Sequence, residues 1–235
     1  MGGAWERRGK EKEMFQGFST ETNDFLWGIR LNNEKPWFEA HKQAYLTHVQ
    51  IPLRELGAEV YEAFSARHPE VPVILRVCRI YRDARRLHGR GPYKSNLWFS
   101  LRSGEENWAA LPSFWFGIRP ESYGFGLGIY DARPALMARF RRDMDERPEV
   151  MGKLARAFEK QTVFTVSGEE YKRPKGEPPA PLDRWYNRKM LDLCCHRELD
   201  GLLYSRELVR EVLDGFEWLL PYYHYFTGLC RQCNG

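Results

Sequence analysis

Residues 123–130 read YGFGLGIY, a run in which every second residue is glycine. Side chains of a strand alternate between its two faces, so Tyr123, Phe125 and Leu127 point one way and the face holding Gly124, Gly126 and Gly128 is bare. A bare face leaves a gap that another element must approach closely, and the sequence expectation is a packed helix or a ligand. The glycines do not form a dinucleotide fingerprint, because no helix start follows at the required place.

Reading outward, residues 113–118 (SFWFGI) form the preceding strand, joined by the short polar link RPES in the manner of a hairpin. Residues 96–101 (NLWFSL) and the β-branched run 71–83 give two more strands, and TVFTV at 162–166 a fifth. Helical periodicity flanks this block on both sides. Phe25, Leu26, Ile29 and Leu31 follow the cap candidates Ser19 and Thr20, predicting a helix over 20–31. Further helices are expected over 36–48, 53–64, 134–144, 149–160, 185–195 and 205–220, with Pro52 and Pro221 as boundaries. Four prolines in YKRPKGEPPAPLD, residues 171–183, forbid helix and central strand alike. The predicted fold is α+β: a mostly antiparallel sheet of about five strands with N-terminal and C-terminal helices, one domain over 15–235 behind a disordered lead-in over 1–14.

The chain has 235 residues, 43% of them hydrophobic, enough for a substantial core. Its 36 basic and 32 acidic side chains leave a formal charge of +4, too balanced to call for a general nucleic-acid or membrane partner. No apolar run approaches the roughly 20 residues that span a bilayer, and no apolar signal core follows the N-terminal charges, so a cytoplasmic location is expected. The five cysteines lack framework spacing and are expected to be reduced thiols. Cys230 and Cys233 form a CxxC without a second pair to complete a zinc site, and neither metal nor cofactor is expected. The phosphate loop, the GxSxG elbow and the HExxH helix are all missing, which argues against several large enzyme classes.

One stretch concentrates charge. RIYRDARRLHGRGPYK, residues 79–94, holds five arginines and a lysine against a single aspartate. As a strand, residues 79–83 put Arg79, Tyr81 and Asp83 on one face and Ile80 and Arg82 on the other, and PYK brings Lys94 back toward Arg82 and Arg85. Guanidinium groups fork onto carboxylate or phosphate, so Arg79, Arg82, Arg85 and Lys94 suit a small anion, with Tyr81 or Tyr93 donating a hydrogen bond. The competing reading is an internal ion-pair network, with Asp83, Glu34, Glu39 or Glu55 as acids.

Four ordered motifs carry a resemblance: NNEKPWFEAHKQAY at 32–45, RIYRDAR with GPYK at 79–94, FWFGIRP followed by GFGLGIY at 114–130, and KRPKG at 172–176. Together they resemble a family of bacterial and fungal conserved hypothetical proteins, the domain of unknown function 2461, over about residues 15–225. The resemblance implies a single α+β domain and very little about activity. This chain departs from the family pattern at RLHGR, where a phenylalanine and a short lysine-and-aspartate stretch usually follow.

Three functions follow as expectations. The first is binding of a small phosphate- or carboxylate-bearing ligand through the arginine-rich turn. The second is an enzyme in which Asp83 acts as acid or base, helped by Tyr93 or His88. The third, ranked last on net charge, is a nucleic-acid or protein surface where basic residues alternate with aromatics such as Trp98, Trp108 or Tyr123.

Overall fold

The structure, a computed structural model, describes residues 14–83, 85, 87 and 89–233. The expected lead-in, Met14 apart, lies outside the described residues, as do Arg86 and His88 at the centre of the basic stretch.

Six strands form one antiparallel sheet: β1 (Ile74–Val77), β2 (Leu97–Arg102), β3 (Pro112–Ile118), β4 (Ser122–Ile129), β5 (Thr165–Ser167) and β6 (Asp192–Glu198). Their spatial order is β1-β2-β3-β4-β6-β5. The strictly alternating burial of β2 explains the layering: Leu97, Phe99 and Leu101 are buried, and the residues between them are not. Phe114 and Phe116 of β3, Phe125 and Leu127 of β4, and Leu193 of β6 continue the same apolar face. Fully burying a ring of this kind contributes about 1.5–3 kcal/mol, so this face dominates the core.

Two long helices cover it. α4 (Ile51–Arg67) buries Leu53, Leu56, Val60 and Phe64, and α8 (Leu208–Cys233) lays Phe216 and Tyr223 against Phe114. Contact is close enough that a Cβ at Gly215 would stand 2.5 Å from the Phe125 ring. α5 (Pro134–Glu146) and α6 (Pro148–Phe158) brace α8 through Tyr225, whose hydroxyl donates to Asp143, and Tyr222, whose hydroxyl donates to the Leu154 carbonyl at 2.9 Å. α1 (Thr20–Leu31) begins where the Ser19 N–H donates to Thr22 Oγ1 and stops at Asn32, whose backbone and side chain both donate to the Gly28 carbonyl.

Four sequence expectations require correction. The helix expected over 185–195 shrinks to the single turn α7 (Asp183–Tyr186), and the chain then enters β6. Leu191, Leu193 and Cys195 recur at every second position on the apolar face, a period-2 signal, and this unread strand raises the count from five to six. Pro221 lies inside α8 instead of ending it. A helix-interior proline costs about 3 kcal/mol, and the buried side chains of Phe216, Leu219, Tyr222 and Phe226 on either side offset it. Pro52 likewise does not break the chain: α2 (Lys35–Ala40) and α3 (Lys42–Tyr45) lead through a π-helical turn, Leu46–Gln50, directly into α4, and the wider turn alters the bonding pattern just before a residue that lacks an N–H. Finally, the long strand expected over 71–83 is β1 plus an isolated bridge between Tyr81 and Tyr93. No helix among the described residues is long and apolar enough to cross a membrane.

Candidate functional site on the open face of the sheet

Strand register places the residues of the other sheet face in rows. Trp98 of β2 pairs with Gly117 of β3, Gly117 with Gly124 of β4, and Gly124 with His196 of β6. The next row runs Ser100, Trp115, Gly126, Cys194, Thr165, and the one beyond it joins Gly128, Asp192 and Ser167. Both helices that cover the sheet lie on the opposite side. The gap left by the alternating glycines is therefore not filled by a helix.

It is filled in part by β6. A Cβ at Gly124 would lie 2.7 Å from His196 Nδ1, and one at Gly128 would lie 2.8 Å from Asp192 Oδ1, so the glycines make room for these two side chains to lean over β4. Trp115 reaches over the same strand from the other side, its indole N–H donating to Asp192 Oδ1 at 2.9 Å and its ring centroid 6.0 Å from that of His196. What remains open is a cavity of about 280 Å³, lined by Trp98, Trp115, Gly117, Gly124, Asp192 and His196, with Asn96, Arg119 and Ser122 at the end nearest the β3–β4 hairpin.

The polar groups on this face of the sheet differ in their commitments. Burial raises the Asp192 carboxyl above the ordinary carboxylate range, against the opposing pull of the Trp115 N–H, His196 and Cys194. Cys194, fully buried, sits 3.3 Å from Ser167 Oγ, and burial raises its thiol as well, so it is not an activated nucleophile.

The arginine-rich stretch leaves β1 and returns into β2 at this same end of the sheet. Its backbone is pinned on three sides: Arg82 N–H to the Pro92 carbonyl, Lys94 N–H to the Ile80 carbonyl, and a two-pronged clasp of Asn33, which accepts from Tyr93 N–H and donates to its carbonyl, both at 2.9 Å. Of the residues singled out in sequence, Arg85 lies on Asp83, one guanidinium contacting both carboxylate oxygens at 2.7 and 3.0 Å. Tyr93 packs its ring on Phe38 at 4.4 Å and is only 3% exposed, whereas Tyr81 is exposed at the surface. Arg82 Nε donates to the Tyr93 carbonyl. Lys94 Nζ donates to the carbonyls of Arg79 and Tyr81 and stands 5.3 Å over the Trp98 ring, one of the cavity walls. Arg79, exposed, makes no side-chain hydrogen bond or ion pair among the described residues.

Electrostatically the turn is uneven. Burial lowers the Lys94 pKa, and Arg82 and Arg79 lower it further, while the Cys78 thiol acts the other way. Burial and Arg90 lower that of Arg82. No carboxylate is among the groups acting on either.

Sequence reasoning missed Asp192 and His196, because Asp192 fell in the segment read as a helix and His196 directly follows it. The alternation of LDLCCH was the signal. Trp98 was singled out only as one aromatic among several on a sheet face. Cys78, Cys194 and Cys195 are free thiols. Among the described residues no group of three or more His, Cys, Asp or Glu could hold a metal ion.

Compared with known proteins, the chain matches over residues 21–225 the family described as "Conserved hypothetical protein (DUF2461)". No curated protein matches it.

Proposed function

The chain belongs to the DUF2461 family of conserved hypothetical proteins, which brings no reaction with it, and from the site's chemistry we propose that it binds a small anionic ligand, phosphate- or carboxylate-bearing, where the basic turn meets the cavity. Lys94 and Arg79 are the primary contacts, with Arg82 behind them and Tyr81 offering its exposed hydroxyl. Arg85, already held by Asp83, shapes the turn and adds charge.

The observation that carries this reading is the state of Lys94. Its ammonium stands over the ring of the cavity-lining Trp98, partly desolvated, with the charges of Arg82 and Arg79 acting on it and no carboxylate among the groups that do. Three donors are available to an ammonium, and two of them are used on carbonyls, so one remains for a guest. A bound anion would relieve the mutual repulsion of Lys94, Arg79 and Arg82 and accept charge-assisted hydrogen bonds from them. A ligand of this type is a soluble metabolite, in keeping with the cytoplasmic location expected from sequence.

Thermal unfolding in a series of phosphates, sugar phosphates and di- and tricarboxylates, at matched ionic strength, tests the proposal. A rise in Tm for at least one anion, lost in Arg79→Ala, is the expected result; among the described residues the Arg79 side chain makes no bond whose removal would confuse it. Equal behaviour of all anions and sodium chloride would defeat the reading.

A further inference from the structure

The interior of the cavity has a chemistry of its own, distinct from the basic rim. Its floor is the backbone at Gly117, without a Cβ, between Trp98 on one side and His196, which leans over Gly124, on the other, with Trp115 behind. Such a floor admits a flat group to direct contact with the backbone, and the aromatic walls favour a ring over an aliphatic chain. Three groups offer edge recognition. Asp192 is an acceptor with lone pairs beyond the one used by Trp115, and Asn96 and His196 make no side-chain hydrogen bond among the described residues.

Size constrains the guest further. At about 280 Å³ the cavity falls just under the usual range for small-molecule pockets, about 300–1,000 Å³. It has room for a ring system, not for a ring together with a sugar and a phosphate. The rest of a larger ligand must stand outside, and the Trp98 ring that walls the cavity also carries the Lys94 ammonium 5.3 Å from its centroid.

Resting on the anion reading above, we propose that the ligand is a nucleotide, its base seated over Gly117 between Trp98 and His196 and its phosphate on Lys94 and Arg79 beyond Trp98. Asp192 accepts a hydrogen bond from an amino group on the base. A free mononucleotide and the end of a single strand present the same chemistry.

Tryptophan fluorescence and titration calorimetry with cytidine and uridine 5′-monophosphates, cytidine, ribose 5-phosphate and a short single-stranded oligonucleotide separate the possibilities. Cytidine monophosphate is expected to bind at least tenfold more tightly than cytidine or ribose 5-phosphate, and several-fold more tightly than uridine monophosphate. Gly117→Ala is the decisive variant: its Cβ would meet nothing closer than 3.6 Å, so the fold tolerates it while a methyl group rises from the floor. It should lose tenfold or more in nucleotide affinity and keep whatever affinity wild type has for ribose 5-phosphate. Competition of the oligonucleotide by mononucleotide marks the free nucleotide as the source, and binding by the oligonucleotide alone marks the strand. Ribose 5-phosphate binding as tightly as the nucleotide would overturn the seated base and leave the anion site standing. Cytidine binding as tightly as its monophosphate would remove the anion site instead, and with it the nucleotide.

Discussion

Trp115 and Asp192, on strands separated by β4, are joined by an indole N–H that reaches Oδ1 at 2.9 Å across the bare face of that strand. The contact exists because Gly126, the β4 partner of Trp115, and Gly128, the partner of Asp192, have no side chains to interrupt it. It holds a carboxyl group in partial burial, and that burial raises its pKa more than the donors around it lower it.

A pH dependence follows, with a definite sign. The native state retains a proton on Asp192 at pH values where the unfolded chain, with an aspartate pKa of about 3.9, has released it. The resulting contribution to stability is complete below the unfolded value and is lost as pH rises through the folded one. Asp192→Asn carries no such proton. Urea unfolding of both proteins from about pH 3 upward should show wild type losing stability relative to the variant across that window. A relative gain by wild type over the same range would mean that the Trp115 and Cys194 hydrogen bonds outweigh desolvation.

Much of this face was legible in YGFGLGIY, which announced a bare strand flanked by hairpin-linked partners. Its occupants were not legible. They come from β6, about 70 residues later in the chain, and a seven-residue strand preceded by Trp185 and Tyr186 offers helical spacing as readily as alternation. With β6 read as a helix, nothing placed Asp192 or His196 beside the glycines. The basic turn was legible as charge but not as geometry: the Arg85–Asp83 pair and the carbonyls that hold Lys94 depend on how residues 79–94 close, which loop composition does not specify. Pro221 illustrates the limit of local rules, since a large buried face overrides a residue that disfavours a helix.

Lys94 and Arg79 should separate structure from binding. Lys94→Met removes charge-assisted hydrogen bonds to two carbonyls of the turn, and a loss of about 1–2 kcal/mol is expected, with faster cleavage of the 79–94 segment in limited proteolysis. Arg79→Ala should stay within about 0.5 kcal/mol of wild type in urea unfolding and resist the protease equally. Comparable proteolysis of the two variants would show that Lys94 does not tether the turn.

Tyr225 offers a test of the helical layer far from the cavity. Asp143 is fully enclosed on α5, ion-paired with Arg147 one turn later, and it accepts a 2.6 Å hydrogen bond from the Tyr225 hydroxyl on α8. Burial, then the neighbouring carboxylate, raises the Tyr225 pKa, so the phenol remains a donor throughout the neutral range. Tyr225→Phe should cost about 1–3 kcal/mol, because a buried acceptor loses its donor while the ring packing on Phe140 persists. Unchanged urea midpoints would place water at the vacated position.

The glycines of the open face should not be equivalent under substitution. At Gly126 an added Cβ would lie 2.1 Å from the Leu193 carbonyl oxygen and 2.9 Å from Cys194 Cα, both backbone atoms of β6 that cannot move without opening the β4–β6 ladder. Gly117 has only ordinary contacts at 3.6 Å and beyond, to Trp98, Leu97 and Trp115. Gly126→Ala is therefore expected to cost about 3 kcal/mol or more, the upper part of the range for overpacking. Gly117→Ala should change stability by less than about 1 kcal/mol, since alanine in a strand also relieves some of glycine's conformational entropy cost. Thermal and urea unfolding of the two variants decide the matter. Similar losses for both would mean that the bare face is a requirement of strand geometry throughout, and that the open floor at Gly117 is a by-product of the fold.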